Sequence, residues 1–577
     1  MHVLATAGHV DHGKSTLVRA LTGMEPDRWA EERRRGMTID LGFAWTTLPS
    51  GVTVAFVDVP GHERFVPNML AGVGPVPAAM IVVAADEGWM PQSAEHLAAL
   101  AALDVRHGLL VVTRSDLADP SAAIAEARAE IARTALGDVP AVAVSGVTGA
   151  GLDELRAELD ELLATLPGPE IEAPVRLWID RAFTVKGAGT VVTGTLGAGR
   201  IRTGDELVLG DRTVRARGLQ SMGAPEPEVA AVARVAVNLR GVEKDAVGRG
   251  DALLSPGQFR GTDLIDVRVH GDPAADLPAT ITFHIGSAAV PVHVRPLGED
   301  TARLRLARPL PLRIGDRGLL RDPGKHHVAG GVTVLDCVPP GLSRRGSAAA
   351  RAAVLSEMDG VPDLAGEVAR RRLIRAGDLA AMGVPLSSPP TVAGWFVAPD
   401  LWSELSERAG RQVADYQKAN PLEPGMPVDA LRHRLELPDR ALTEALIRPP
   451  LILRNGRVSA GRSDMSDLEA LIGKAFDGLP AHTAPEANDL TALGLGPRQL
   501  AAAVRTGLLI QLAPQVVLRA DAVETAAAVL SRISTPFTLS EARQALNTTR
   551  RVAVPLLELL DKRGITRRLP DDRRTVT

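Results

Sequence analysis

Residues Gly8-His9-Val10-Asp11-His12-Gly13-Lys14-Ser15 fit the pattern G-x-x-x-x-G-K-[ST]. They stand between a short apolar strand, Val3 to Ala7, and an amphipathic stretch, Thr16 to Leu21. In that setting glycines turn backbone N–H groups inward around a phosphate and the lysine adds a point charge. The serine hydroxyl is offered to Mg2+, and the following helix presents its positive end. The chemistry is that of a bound nucleoside triphosphate, with Asp11, His12, Gly13, Lys14, Ser15 and Thr16 as candidate contacts. Downstream, Asp58-Val59-Pro60-Gly61 follows a second apolar strand. Asp58 can hold Mg2+ through water, and Gly61 can bring an N–H to a terminal phosphate. Between the two motifs lies Arg35-Gly36-Met37-Thr38-Ile39-Asp40. The Thr38 hydroxyl can complete the Mg2+ shell when a third phosphate is present, which would convert hydrolysis into a change of order.

Base selection falls to Thr113-Arg114-Ser115-Asp116. Asp116 supplies a carboxylate that accepts hydrogen bonds from guanine N1 and N2, whereas Thr113 and Arg114 replace the Asn and Lys of the usual N-K-x-D pattern. Ser145-Gly146-Val147 is placed to close over the base. The expected ligands are therefore GTP or GDP with Mg2+. His62, directly after Gly61, is a candidate for positioning the attacking water. Taken alone, it reads more readily as a surface histidine beside a turn.

The elements that must position these residues are visible as periodicity. Apolar strands (Val52 to Val57, Met80 to Ala84, Leu109 to Thr113, Ala141 to Val144) alternate with helical patterns at 94–103, 122–136 and 153–163. Such alternation predicts an α/β domain over 1–170, with a parallel sheet whose binding site lies at the carboxyl ends of its strands. After Pro167-Gly168-Pro169 the helical period vanishes. Short alternating strands broken by Gly-Asp and Gly-Arg turns predict two antiparallel β-barrels, 171–259 and 260–340. Beyond Pro339-Pro340-Gly341 the texture becomes helical with short strands. Superposing Leu435, Leu493 and Leu546 places an arginine five residues beyond each (Arg440, Arg498, Arg551), then a helical run and an apolar strand pair. This weak repeat predicts tandem winged-helix (α+β) modules at 421–464, 465–522 and 523–577, preceded by a linker and a further module over 341–420.

Whole-chain properties bound the reading. At 577 residues, with 45% hydrophobic and 23% charged residues, the chain is an ordinary multidomain globular protein. One cysteine, Cys337, excludes an internal disulfide or a cysteine metal cluster. The apolar run Val76 to Ala85 is too short to span a membrane, and the N-terminus lacks a signal-peptide layout; a cytoplasmic monomer without membrane contact is expected. The net charge is −4, yet residues 531–577 carry ten Arg/Lys against five Asp/Glu. Arg550, Arg551, Lys562, Arg567 and Arg568 in that tail are candidates for an RNA backbone.

The set Gly8 to Lys14, Arg35 to Asp40 and Asp58 to Glu63 resembles the translational GTPases of the elongation factor Tu group, as does Phe183 to Gly194 with Gly204-Asp205. The likeness implies that His62 positions water, flanked by Val10 and Ile39, and that the barrels hold an aminoacyl-tRNA. Ile179 to Gly189 together with Arg35 to Phe43 narrows the resemblance to the selenocysteine-specific elongation factors, as do Thr548 to Ala553 and Leu557 to Arg568 near the end. This implies an amino-acid pocket at Asp180, Arg181 and Arg234 with Phe43 as a wall, a terminal module that grips the messenger hairpin (SECIS) marking a UGA codon, and action on the ribosome. An anionic selenol beside two guanidiniums is separable by charge from a neutral serine hydroxyl. Two alternatives are a general aminoacyl-tRNA or initiation factor GTPase and, of another class, a nucleotide-gated winged-helix DNA-binding regulator.

Overall fold

The computed structural model describes residues 1–26, 38, 40–62, 65–73, 76–420, 423–460 and 464–577, with the backbone alone for 464–466. Of the expected site segments, Arg35 to Met37, Ile39 and Glu63 lie outside the described residues. Two compact units divide the chain. The first comprises 1–370 and 375–389, and the second 371–374 and 390–577.

In the first unit a six-stranded sheet is built from β1 (His2–Ala7), β2 (Gly42–Thr47), β3 (Thr53–Asp58), β4 (Ala78–Ala84), β5 (His107–Thr113) and β6 (Ala141–Ala143). Its order is β2-β3-β1-β4-β5-β6, with β2 alone antiparallel to its neighbour. Helices α1 (Lys14–Thr22), α2 (Val66–Val73), α3 (Pro91–Ala102), α4 (Ser121–Ile131) and α5 (Leu152–Thr165) cover it. Continuous apolar runs such as Ala78–Ala84, buried at every position, are what a parallel sheet covered on both faces requires. Alternate residues of each strand feed two separate cores. Val3, Ala5, Val57 and Ile81 face one, while Leu4, Phe56, Met80 and Leu109 face α1 and α5.

The first barrel closes through β7 (Arg176–Val185), β8 (Gly189–Leu196), β14 (Ala233–Arg240), β11 (Arg212–Ser221), β10 (Glu206–Leu209) and β15 (Ala252–Leu254). Minor strands β9 (Arg200–Arg202), β12 (Ala224–Glu226) and β13 (Glu228–Ala230) attach to it. The second is a closed barrel of β16 (Gly261–Gly271), β19 (Thr301–Pro311), β18 (Ala288–Pro296), β17 (Thr280–Ile285), β20 (Arg317–Asp322) and β21 (His327–Asp336). Arg176 links the barrels through a two-pronged pair with Asp316, both contacts at 2.6 Å. Arg321 joins the second barrel to Glu95 of α3 at 3.0 Å. After the barrel the chain stays pinned. Arg351 of α6 (Ser347–Ser356) bonds Asp266 at 2.7 Å and Asp336 at 2.6 Å, and Arg303 bonds the same Asp266 at 2.6 Å, all four side chains being buried.

Helices α7 (Leu364–Arg371) and α8 (Ala376–Ala381), with strands β22 (Leu373–Arg375) and β23 (Trp395–Val397), occupy the segment expected to hold a module of its own. Helix α7 stops at Arg371, and Arg372 takes a positive φ of 64°. The second unit then carries three modules. The first has α9 (Pro399–Ala419), β24 (Met426–Pro427), α10 (Val428–Arg434), α11 (Arg440–Leu446), β25 (Leu451–Arg454) and β26 (Arg457–Ala460). The next has α12 (Asp464–Ala475), α13 (Ala487–Ala492), α14 (Pro497–Arg505), β27 (Leu509–Ala513) and β28 (Val516–Arg519). The last has α15 (Ala522–Leu530), α16 (Leu539–Ala545), α17 (Arg550–Lys562), β29 (Thr566–Arg568) and β30 (Arg574–Val576).

One expectation changes here. Leu405, Ala409 and Val413 of α9 share one core with Trp395 and Val397 before the helix and with Leu431, Leu442 and Val458 after it, so the boundary expected between 420 and 421 runs through a single core. The repeat has a physical basis. Leu435, Leu493 and Leu546 each close the second helix of a module, and the next residue (Glu436, Gly494, Asn547) takes positive φ to turn the chain into the third.

Candidate functional site

The phosphate loop joins β1 to α1, and its side chains are already engaged. Lys14, buried at 6% exposure, donates to the carbonyls of Gly8 (3.0 Å) and His9 (2.5 Å). Burial pushes its ammonium down to about 8, opposed by Asp58 and Asp11. The Ser15 hydroxyl donates to Asp58 Oδ2 at 2.6 Å and lies 2.9 Å from Thr38 Oγ1. Thr6, inside β1, donates to the other Asp58 oxygen at 2.8 Å and accepts the Val59 N–H at 3.0 Å, which fixes the carboxylate. Three hard oxygens thus converge from three segments. That donor set suits Mg2+, which takes few protein ligands and completes its octahedron with water and phosphate oxygens. Among the described residues no cluster of three His, Cys, Asp or Glu offers a competing metal site.

Two close approaches explain two glycines. A Cβ on Gly8, whose φ is 138°, would stand 2.2 Å from the Val82 carbonyl oxygen; one on Gly61 would stand 2.6 Å from both Lys14 Nζ and the Val10 nitrogen. Gly61 therefore lies directly against the loop. His62 follows, its ring 5.9 Å from that of Phe65. Helix α3 contributes two loop contacts that motif reading missed. His96 Nδ1 accepts the Gly8 N–H at 3.0 Å and Gln92 Oε1 accepts the Val10 N–H at 3.0 Å. Burial holds His96 down at about 3, which keeps Nδ1 free of a proton and able to accept. No local pattern announces such residues, since they lie more than eighty positions from the loop.

At the base end, Thr113 Oγ1 donates to the His12 carbonyl at 2.8 Å. Arg114 Nη2 donates to the Asp11 carbonyl, and its other nitrogen pairs with Asp86 at 2.9 Å and Glu87 at 2.8 Å. The two departures from N-K-x-D thus tie the base strand to the phosphate loop. Asp116 is exposed at the end of β5. Buried Ser145 accepts the N–H groups of Val147 (3.3 Å) and Thr148 (3.1 Å), and Gly146 packs on Thr16.

A second site forms between the sheet and the first barrel. Strand β7 carries an irregularity between Ile179 and Arg181, and the extra residue lets Asp180 and Arg181 both serve one face of the barrel. Along β14 the odd positions are buried in the barrel core, which leaves Arg234 and Ala236 to line the outside. The outcome is a cleft of about 280 Å³ bounded by Phe43, Trp45, Arg181, Phe183, Thr193 and Arg234, among others. Asp180 accepts from both Arg234 nitrogens, one at 3.0 Å, and from Thr193 at 2.7 Å. Arg234 stacks over the Phe43 ring at 3.8 Å, with Arg181 at 5.7 Å from the same ring. Of the four residues expected in a pocket, Phe43, Arg181 and Arg234 line the cleft and Asp180 is bonded to Arg234; Trp45, which the sequence did not single out, lines it too.

In the last module Arg550, Lys562 and Arg567 are exposed on α17 and the hairpin. Arg551 and Arg568 are exposed as well, and each is paired within the chain. Arg551 donates to Glu486 (2.8 Å) and to the Pro485 carbonyl (3.2 Å), which clasps the preceding module; Arg568 pairs with Asp572 across the turn.

Comparison with known proteins agrees with this geometry. Residues 1–165 match the family model of the elongation factor Tu GTP binding domain and 189–254 that of elongation factor Tu domain 2. The class is thus that of the translational GTPases, and the protein is a guanine-nucleotide-binding GTPase. Residues 529–575 match the winged-helix model of elongation factor SelB. The chain is 30% identical over 639 aligned positions to the selenocysteine-specific elongation factor of Desulfomicrobium baculatum, covering 99% of each, and 35% identical to that of Escherichia coli K12 over 77% of this chain and 75% of the relative. The crystal structure of bacterial selenocysteine-specific elongation factor EF-Sec superposes with a TM-score of 0.75 at 25% identity, covering all of both chains. This chain belongs to the selenocysteine-specific elongation factor family, and is a specialised translation elongation GTPase. Among the described residues no helix is long and apolar enough to cross a membrane.

Proposed function

We propose that the chain delivers selenocysteyl-tRNA to the cytoplasmic ribosome at UGA codons marked by a messenger hairpin, as a monomer whose GTPase domain times release. The observation that carries the reading is the cleft lined by Phe43, Arg181 and Arg234, with Asp180 bonded to Arg234. Two guanidiniums stacked on an aromatic wall favour an anionic selenolate over the neutral hydroxyl of serine. The cleft touches β2, which begins just beyond Thr38 and Asp40, so nucleotide and aminoacyl group are read by one continuous stretch.

For hydrolysis, Lys14 and the inward N–H groups of residues 11–16 hold the phosphates, and Asp116 with the 145–147 loop holds guanine. Mg2+ held by Ser15, Thr38 and Asp58 would neutralise charge on the terminal phosphates. His62 orients a water whose oxygen bonds to the γ-phosphorus as the bond to the β–γ bridging oxygen breaks, yielding GDP and phosphate. Relaxation of the Thr38 segment then frees the tRNA. At the far end Arg550, Lys562 and Arg567 contact the hairpin backbone. Joining both binding functions in one chain raises the local concentration of charged tRNA at the flagged codon.

The test is titration of the full chain with selenocysteyl-tRNA and seryl-tRNA in GTP and in GDP. A selenocysteine preference that requires GTP supports the reading; equal affinity for the two tRNAs rejects it.

A further inference from the structure

The pocket cations are not independent of the nucleotide segment. Asp40, two residues after Thr38, accepts from Arg181 Nη2 at 2.8 Å through one carboxylate oxygen and from Arg249 Nη2 at 3.1 Å through the other. Arg249, on the turn between β14 and β15, reaches two further groups. Its Nε donates to the Asp180 carbonyl at 3.1 Å, and its remaining nitrogen donates to Asn68 Oδ1 on α2, the helix that follows Gly61 and His62. One guanidinium thus touches the Thr38 segment, the helix after His62 and the bulged pocket strand. Among the described residues joined by these contacts, three arginines (Arg181, Arg234, Arg249) face two aspartates (Asp40, Asp180), which leaves one positive charge in excess among them. That surplus matches a single incoming anion.

We infer that Arg249, though outside the cleft lining, is a positioning residue of the aminoacyl pocket: by sharing Asp40 with Arg181 it makes the charge presented to the aminoacyl group depend on where the Thr38–Asp40 segment and α2 stand. When Asp40 stays on Arg181, the pocket arginine is neutralised by a fixed carboxylate. When the segment moves with Thr38, Arg249 retains Asp40 and Arg181 turns to the ligand. The planar fork is essential, because its three nitrogens each reach a different acceptor, whereas a lysine gathers its three N–H donors on a single nitrogen.

This inference rests on the proposed delivery of selenocysteyl-tRNA, and its test separates the two. Affinity for selenocysteyl-tRNA and seryl-tRNA is measured in GTP and in GDP for the full-length wild type, Arg249→Ala, Arg249→Lys and Asp40→Asn, with GTP affinity and thermal unfolding as controls on folding. Arg249→Ala and Asp40→Asn are each expected to shrink the GTP-to-GDP affinity ratio for selenocysteyl-tRNA by about tenfold, within the usual range of couplings between sites. The double variant should lose no more than either single one. Arg249→Lys should retain the selenocysteine-over-serine preference yet fail to restore the nucleotide ratio. An unchanged ratio in both Arg249→Ala and Asp40→Asn, or full rescue by lysine, overturns the inference. A wild type without selenocysteine preference would instead overturn the delivery function itself.

Discussion

The phosphate loop and the last winged-helix module both concentrate positive charge, and they do so by opposite means. Lys14 is buried, bonded to two carbonyls, and sits where β1, α1 and Gly61 converge. Arg550 and Lys562 stand exposed at the two ends of α17, and Arg567 on a short hairpin. The first arrangement loses its conformational entropy during folding and suits a ligand of fixed shape. The second keeps its side chains hydrated and suits a flexible polyanion bound largely through counterion release. The difference is a measurable one, since preorganised charge is sensitive to geometry and pH, whereas exposed charge is sensitive to salt.

Lys14→Ala should show the largest effect. It removes a charge-assisted hydrogen bond inside a buried loop, and GTP affinity is expected to fall by about a hundredfold or more, with unfolding temperature little changed. Equilibrium titration with a fluorescent guanine nucleotide measures this. A loss below about fivefold would mean that the backbone N–H groups alone hold the phosphates. The buried amine should also make binding pH-dependent. In the free protein the ammonium titrates at about 8, and bound phosphate favours the protonated form and so raises that value. Binding above pH 8 therefore takes up a proton, and affinity should decline with rising pH by up to about tenfold per unit. Between pH 7 and pH 9, Lys14→Arg should flatten the curve.

How much of this is legible in the sequence differs in the same way. The phosphate loop, Asp58 and Gly61 lie on contiguous stretches after strands, so spacing alone places them. The winged-helix repeat is legible because each turn needs a helix-closing leucine followed by a residue able to take positive φ. The pocket is visible only through resemblance: Phe43, Arg181 and Arg234 come from three strands of two different sheets, and the irregularity that turns Asp180 and Arg181 to one side leaves no mark in periodicity. Thr6, Gln92, His96 and Arg249 escape notice because each acts across a long sequence separation through one ordinary side chain. Strand β2 goes unannounced beside the Arg35–Asp40 motif. The boundary expected at 420/421 parts α9 from half of its core because the buried stripe, Leu405, Ala409 and Val413, says that the helix packs but not against what.

At the exposed end, Arg550→Ala combined with Arg567→Ala should weaken hairpin binding by about tenfold near physiological salt. The slope of log affinity against log salt should flatten by about two, one for each phosphate left without its arginine. GTP affinity should be untouched. If the weakening were instead independent of salt, these arginines would be reading shape or bases, and the contrast with Lys14 would need another basis.

Arg551→Ala sharpens the contrast most, because this residue stands on the same helix as Arg550 and is engaged differently. Its guanidinium is 41% exposed and paired with Glu486, itself 72% exposed, while also donating to the Pro485 carbonyl. An exposed pair of this kind contributes about 0–1 kcal/mol, so its removal should cost little stability. The expected outcome is a change in hairpin affinity below about twofold with an unchanged salt slope, together with faster amide exchange around residues 482–486, where the Thr548 hydroxyl also holds the His482 carbonyl. A slope that flattened by about one would show that Arg551 leaves Glu486 for a phosphate on binding. In that case Arg551 clasps the preceding module only in the RNA-free protein, and the exposed site is ordered by its ligand through a side chain that the free protein holds against itself.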